Sequence, residues 1–435
     1  MGAVSGSAVD IRAAVLDRSR TPLVIAEEVL AAIGDDEFRA WSALDADGLR
    51  RQALTLESVA EPERRRRPLF GVPVAIKDNI DTADFDTAYG SSIYAGHRPA
   101  ADAVVVAQLR AAGALIVGKT KCTEFAWMTA TDTRNPLDPT RTPGGSSSGS
   151  AVAVAAGHVP LALGTQTAGS VNRPASYCGV LGYTPSAGLY DRTGMKLMSE
   201  TLDSVGVFGR STVDLGLVDE ALTGVGRRVG AASRTPRVGF APTPFWPRLD
   251  EDAATSIETW VEGACGIGLL TATDVDLPGY ESLAVAHETI QRYESARSLG
   301  PEVARAPELL SYPLRATLLA AGRIPRRVYD RARAEALVYA PALAAALGKY
   351  DGVIVPSTTG VAPRGLDFTG DPLFCRAWTL LHAPAISLPL VRSAAGLPVG
   401  LQIVGRPGGD ADLLAAAETV CLAGLSLPDG ADASM

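Results

Sequence analysis

Pro143-Gly-Gly-Ser-Ser-Ser-Gly-Ser150, followed by Gly164-Thr-Gln-Thr-Ala-Gly-Ser170 and Arg173-Pro174-Ala175, is the stretch on which the reading of this chain turns. Serine is a poor nucleophile at neutral pH until a base takes its proton, and flanking glycines let backbone N–H groups approach a developing oxyanion. A lysine kept neutral by burial is such a base. Upstream, Val74-Ala-Ile-Lys77 ends a short apolar run on a lysine. That run, Val72 to Ile76, is rich in β-branched residues and reads as a buried strand with Lys77 at its carboxyl end, where open α/β sheets place their ligands. His97, His158, His287 and His382 are the only histidines, so a histidine-based mechanism has few candidates.

Outward from this stretch the elements alternate. Residues 21 to 33 carry a Thr cap, Pro at the first helical position and Gly34 as a stop, which predicts a helix. A second helix is expected over Asp45 to Val59. Asp102 to Ala112 reads as helix, Ala114 to Val117 as strand and Ser150 to Ala156 as helix. A helical stretch with few strand signals runs from Glu281 to Leu347. Strands at Val353 to Val355, Ile386 to Leu388 and Val399 to Val404 return to the sheet, and Asp412 to Ala423 closes as helix. With no low-complexity linker and no internal repeat, the chain is expected to form a single α/β domain over 1–435, opening with an N-terminal helical segment at 1–65.

Composition narrows the partners. The 435 residues are 47% hydrophobic and 20% charged, as in a chain with an extensive core, and the net charge of -8 provides no global attraction to nucleic acid or to an anionic membrane. The one basic run, Arg64 to Arg67, reads as a solvated connector before Phe70-Gly71-Val72-Pro73. Cys122, Cys178, Cys265, Cys375 and Cys421 have no C-x-x-C spacing, which fits reduced cytoplasmic thiols rather than disulfides or zinc, so no metal is expected. No apolar run approaches the roughly 20 residues of a membrane span, and Asp10 and Arg12 interrupt the place of a signal-peptide core. A cytoplasmic protein is expected, without membrane or nucleic-acid partner; a homodimer is compatible with the sequence but not written into it.

Two formal motif matches are rejected on physical grounds. Gly113-Ala-Leu-Ile-Val-Gly118-Lys119-Thr120 satisfies the P-loop pattern, but Leu115, Ile116 and Val117 look like a strand where a phosphate loop needs an exposed turn. Gly145-Ser-Ser147-Ser-Gly149 satisfies G-x-S-x-G, but the preceding residues, Asn135-Pro136 through Arg141-Thr142-Pro143, are loop-like where a nucleophile elbow needs a strand.

Taken together, the motifs resemble the amidase signature family. Gly71-Val-Pro-Val-Ala-Ile-Lys-Asp78 resembles its lysine strand, Val117-Gly-Lys-Thr-Lys-Cys-Thr-Glu-Phe125 its G-K-T-x-x-x-E-F segment, Cys178-Gly-Val-Leu-Gly182 and Leu202-Asp-Ser-Val-Gly206 further segments, and Gly396-Leu-Pro-Val-Gly-Leu-Gln402 its G-L-P-V-G-x-Q. The likeness covers roughly residues 66 to 224 and 350 to 420. It implies a central mixed β-sheet covered by helices on both faces and a Ser-Ser-Lys triad, with Ser170 as nucleophile, Ser146 as bridging serine after a cis peptide at Gly145, and Lys77 as base. The separation of 24 residues between the two serines is the family's. Backbone N–H groups of Thr167, Ala168, Gly169 and Ser170 would form the oxyanion hole.

The chemistry of amide cleavage agrees with this assignment. An amide's leaving nitrogen must be protonated as the C–N bond breaks, so a relay must take the proton from Ser170 and deliver it to nitrogen. A serine hydroxyl is donor and acceptor at once, and Lys77 must begin neutral. The competing reading makes Lys77 an ordinary lysine paired with Asp78.

The chain also departs from the family. Where G-T-D-T-G-G-S-I-R is common, it has Gln166 for the acid and Asn172 for the arginine, with Arg173 one place later; Thr184 replaces the lysine of G-x-K-P. An amide–amide hydrogen bond between Gln166 and Asn172 is the expected substitute for a buried ion pair. Variable segments build the acyl pocket in this family, here Glu124 to Thr133, Met195 to Thr201 and the helical segment 281–349, so Trp127, Met128, Met195 and Met198 are candidate lining residues. The expected function is hydrolysis of a linear small-molecule carboxamide to carboxylate plus ammonia or amine, without cofactor. The alternative is the glutamine-hydrolysing component of a tRNA-dependent amidotransferase, which needs partner subunits. A catalytically silent scaffold is disfavoured by the intact Lys77, Ser146 and Ser170.

Overall fold

Side chains alternate across a strand, and in this chain the alternation sorts large from small residues. Val74 and Ile76 face one way and Ala75 the other; Leu161 and Leu163 oppose Ala162 in the same manner. In the computed structural model, which describes residues 4–226 and 235–424, these belong to one sheet. Its strands are β1 (Trp41–Leu44), β2 (Pro73–Lys77), β3 (Leu115–Thr120), β4 (Leu161–Gln166), β5 (Leu181–Thr184), β6 (Ser204–Gly209), β7 (Val238–Phe240), β8 (Gly352–Pro356), β9 (Ala385–Arg392) and β10 (Pro398–Val404). The spatial order is β1-β3-β2-β4-β6-β5-β9-β10-β8-β7. The pairs β3/β2, β2/β4 and β8/β7 are parallel and the remainder antiparallel, so the sheet is mixed.

Helices cover both faces. On the Ala75 and Ala162 side pack Ala8–Leu16, Pro22–Ile33, Ala46–Glu57 and the short helix Ser148–Ala155, whose Ala151 to Val154 meet those small strand residues. On the other side pack Val104–Ala111, Thr212–Thr223, Glu251–Gly266 and Asp410–Gly424. A third cluster joins Tyr280–Ser298, Arg326–Leu347 and Leu373–Leu380 to Val353, Val355, Ala385 and Val404 at the β8–β10 end of the sheet. Thr21 caps its helix by accepting from Val24 N–H, and Gly34 ends it at φ 49°, a left-handed value that glycine adopts without a side-chain clash.

The parallel pairing fixes where chemistry collects. Val74 to Ile76 of β2 lie opposite Leu161 to Leu163 of β4, so Lys77 and the Thr165–Gln166 end of β4 emerge at the same edge of the sheet. Gly118, Lys119 and Thr120 are buried in β3, which excludes a phosphate-binding turn there. Among the described residues, no helix is long and apolar enough to cross a membrane.

Candidate active site

Lys77 is fully buried at the end of β2. Burial pushes its ammonium down from the ordinary lysine range to about 7, the direction that makes a base available at neutral pH. The Nζ donates to Ser146 Oγ at 2.6 Å and to Thr165 Oγ1 at 2.8 Å, and Asn79 Nδ2 donates to the same Thr165 hydroxyl at 3.0 Å. Asp78 faces elsewhere, 3.6 Å from Lys119 Nζ, so the pairing of Lys77 with Asp78 is not what the strand builds.

The serine run divides its work. Ser147 Oγ donates to Thr165 O at 3.2 Å and accepts from Thr165 N–H at 3.3 Å, stitching the loop to the end of β4. Ser148 Oγ caps Gly144 O at 2.7 Å, and Ser150 Oγ donates to Leu163 O at 2.8 Å. Of these serines Ser146 meets the lysine. Its preceding peptide, Gly145–Ser146, is cis. The approach of this loop to β4 requires Gly164, where a Cβ would come within 2.6 Å of Phe208 Cε2 and 2.9 Å of Ser147 Oγ.

The next turn, residues 166 to 170, is held by its carbonyls. Gln166 O accepts from Ser204 Oγ at 3.4 Å, Thr167 O from His287 Nε2 at 2.8 Å, Ala168 O from Thr379 Oγ1 at 2.8 Å and Gly169 O from Arg173 N–H at 2.9 Å. In a trans peptide the N–H points opposite to the C=O. Each anchored carbonyl therefore turns the following N–H, that of Thr167, Ala168, Gly169 or Ser170, away from its anchor. Among the described residues no hydrogen bond engages Ser170 Oγ, and Ser170 lines a cavity of about 590 Å³.

The departures at Gln166, Asn172 and Thr184 fall in one place but do not pair as expected. Gln166 Oε1 accepts from the backbone N–H of Val171 at 2.9 Å and of Asn172 at 3.2 Å, while its Nε2 donates to Thr379 Oγ1 at 3.3 Å. Asn172 Oδ1 accepts instead from Thr184 Oγ1 at 2.8 Å. The amide–amide bond is thus replaced by separate neutral contacts, because the Gln166 oxygen is committed to backbone donors and its Nε2 to Thr379. Arg173 does not compensate either: Nη1 donates to Gly370 O at 2.8 Å and Nη2 to Gly145 O at 2.6 Å.

Trp127 and Met128 line the cavity together with Ala168 and Ser170. Met195 and Met198 do not. Met195 packs in the core below the sheet, and Met198 is buried with its N–H on Asp203 Oδ2 at 2.6 Å. Four residues at the site were missed in the sequence: Asn79, Thr165, His287 and Thr379. Thr165 and Asn79 stand next to motif residues and were findable from the need to orient a lysine; His287 and Thr379 lie in stretches whose only signal is a buried polar residue on an otherwise apolar helix face.

With this geometry in place, the relatives are informative. The chain matches the Amidase family over residues 27–414. It is 32% identical over 450 residues to a glutamyl-tRNA(Gln) amidotransferase subunit of Symbiobacterium thermophilum, covering 90% of this chain and 91% of that one. It is 34% identical over 455 residues to the same-named protein of Anaeromyxobacter dehalogenans, covering 92% of each. Among solved structures it is similar to an amidase at TM-score 0.85 and 30% identity, covering 95% of this chain and 98% of the other. It is also similar to the peptide amidase of Stenotrophomonas maltophilia at TM-score 0.81 and 27% identity, covering 98% of each. A match over most of its length, on a fold shared with solved amidases, makes this chain a member of the amidase signature family.

Proposed function

We propose that the protein hydrolyses a linear carboxamide through an acyl-enzyme on Ser170. The observation that carries this reading is the buried contact of Lys77 Nζ with Ser146 Oγ, 2.6 Å, on a lysine whose burial favours the neutral form. Neutral Lys77 accepts the Ser146 proton while Ser146 accepts that of Ser170, whose Oγ bonds to the amide carbon. The oxyanion is received by the N–H groups of residues 167 to 170, turned inward by their anchored carbonyls. As the tetrahedral adduct collapses, Ser146 gives a proton to nitrogen, the C–N bond breaks, and ammonia or an amine leaves. Water then attacks the ester along the same relay and releases the carboxylate. Only water and groups of the chain take part, and the reaction needs no nucleic acid or membrane, in keeping with a cytoplasmic enzyme.

The test is covalent labelling by a fluorophosphonate together with a screen of primary, N-substituted, aliphatic, aryl and ureido amides for ammonia or amine release. Labelling at Ser170 that Ser170→Ala abolishes is expected; turnover surviving in that variant overturns the assignment.

A second reading is favoured by the relatives named as glutamyl-tRNA(Gln) amidotransferase subunits, whose length this chain matches over more than 90%. Here Ser170 would release ammonia from glutamine for partner proteins to use. Release from glutamine and from no other amide, rising when those partners are added, supports this reading over a free-standing amidase.

A further inference from the structure

The two helices that anchor the nucleophile turn also build one wall of its cavity. On Tyr280–Ser298, His287 holds Thr167 O and the adjacent Glu288 lines the cavity with Arg292; on Leu373–Leu380, Thr379 holds Ala168 O and Arg376, one turn earlier, lines it. Glu288 bridges the two arginines. Its Oε2 accepts from Arg376 Nη1 at 2.8 Å and its Oε1 from Arg292 Nε at 3.0 Å, with Arg292 Nη2 in an ion-pair contact at 2.8 Å. Burial alone would raise the Glu288 carboxyl, yet the guanidiniums hold it below the ordinary range, so it stays ionised. One carboxylate therefore answers two guanidiniums.

The deficit is visible at Arg376. A guanidinium carries five N–H donors. Among the described residues Arg376 makes one donation, to Glu288, and its Nε is buried with no partner. Arg173, the third arginine of the lining, has both terminal nitrogens on backbone carbonyls. Asp367, the other acid of the lining, is exposed on the rim. A planar carboxylate satisfies a guanidinium with two parallel hydrogen bonds and brings the arginine pair to neutrality.

We infer that this cavity selects amides whose acyl side ends in a carboxylate seated on Arg376 and Arg292, that is, ω-amides of short dicarboxylic acids. The inference rests on the reading of Ser170 as nucleophile. The experiment compares kcat/KM for succinamate, glutaramate and adipamate with that for butyramide, valeramide and hexanamide, the neutral amides of equal chain length. At least one acid is expected to exceed its neutral partner by about 100-fold, mainly through KM, since a site built for a polar group discriminates strongly against its absence. Arg376→Gln is expected to collapse that ratio to within about threefold and Arg376→Lys to restore part of it. Glutarate is expected to slow fluorophosphonate labelling of the wild-type protein and not of Arg376→Gln. An enzyme that labels at Ser170 but handles the neutral amides as well as the acids, or keeps its preference in Arg376→Gln, overturns the inference and leaves the amidase reading standing. Absence of labelling at Ser170 defeats both.

Discussion

His287 Nε2 donates to the carbonyl oxygen of Thr167 at 2.8 Å, joining a helix of the C-terminal half to the peptide that carries the Ala168 N–H. Burial pushes the imidazole down to about 4, so it is neutral at working pH and has one N–H to give. The carbonyl partner puts that proton on Nε2. Under the proposed mechanism His287 is a positioning residue for the oxyanion site.

Replacing it by alanine leaves Thr167 O unpaired and frees the peptide to rotate. His287→Ala is expected to lower kcat by 10- to 100-fold, about 1–3 kcal/mol, the scale of a buried group that loses its partner, with KM little changed. His287→Gln, which can still donate, should recover part of the loss. Steady-state kinetics alongside thermal melts decide the matter: a fall in Tm with kcat intact would make His287 a scaffold residue only.

The pH dependence follows from Lys77. Its folded-state value of about 7 lies below the ordinary lysine value of 10.5, so the neutral, proton-accepting form accumulates as pH rises through about 7. The rate kcat/KM should rise through that region and level off above it; a flat profile from pH 6 to 9 with chemistry rate-limiting would remove Lys77 from the relay. The stability consequence has its own sign. Between about pH 7 and 10.5 the unfolded chain binds a proton that the folded one does not, so the burden of burying this lysine diminishes as pH rises. Lys77→Met should therefore stabilise the fold most at or below about pH 7, with the gain fading toward pH 10.5 in denaturant titrations.

Thr165 Oγ1 accepts from both Lys77 and Asn79, which favours the charged form of Lys77 and aims its Nζ. Thr165→Val removes that acceptor. The inflection in the pH–rate profile should move to lower pH while kcat falls about tenfold, on the order of 1–3 kcal/mol for orphaned donors; Thr165→Ser should behave like the parent. An unmoved inflection would show that the hydroxyl does not act on the lysine.

At the neutral substitutions, Thr184 Oγ1 donates to Asn172 Oδ1, whereas Gln166 reaches the backbone N–H groups of Val171 and Asn172 and the Thr379 hydroxyl but not the Asn172 side chain. A double-mutant cycle on Asn172→Ala and Thr184→Ala should return a coupling of about 0.5–3 kcal/mol, the range for residues in contact. The cycle on Gln166→Ala and Asn172→Ala should return less. Coupling in the reverse order would restore the amide–amide pairing that the sequence led us to expect.

What the sequence made legible was whatever depends on local pattern. The β-branched run before Lys77, the cap at Thr21 and the stop at Gly34 each carry their physics within a few residues, and the strand and helix positions agree to within a few residues of those observed. The pairing of Lys77 with Ser146 came from the resemblance to the amidase signature family, since Ser146 sits in the loop before the helix Ser148–Ala155 and no local pattern ties that loop to the end of β2. Met195 and Met198 were misplaced because a hydrophobic side chain in a loop near the site has no local mark saying which way it faces. The same blindness hid His287 and Thr379, whose meaning lies in a carbonyl more than a hundred residues away. Gln166 and Asn172 were misjudged because side-chain chemistry was weighed without the backbone N–H groups competing for it.

The anchored turn has a consequence in time. Lys77, Ser146 and Ser170 have all been synthesised by residue 170, whereas the hydrogen-bond donors that grip Thr167 O and Ala168 O arrive at His287 and Thr379. A nascent or truncated chain that stops short of Leu373–Leu380 would own Lys77, Ser146 and Ser170 and lack the grip of Thr379 on the turn before Ser170. Under the proposed mechanism, amide chemistry is withheld until Tyr280–Ser298 and Leu373–Leu380 have docked on the 166–170 turn, and the onset of activity during synthesis or refolding would serve as a clock for that docking.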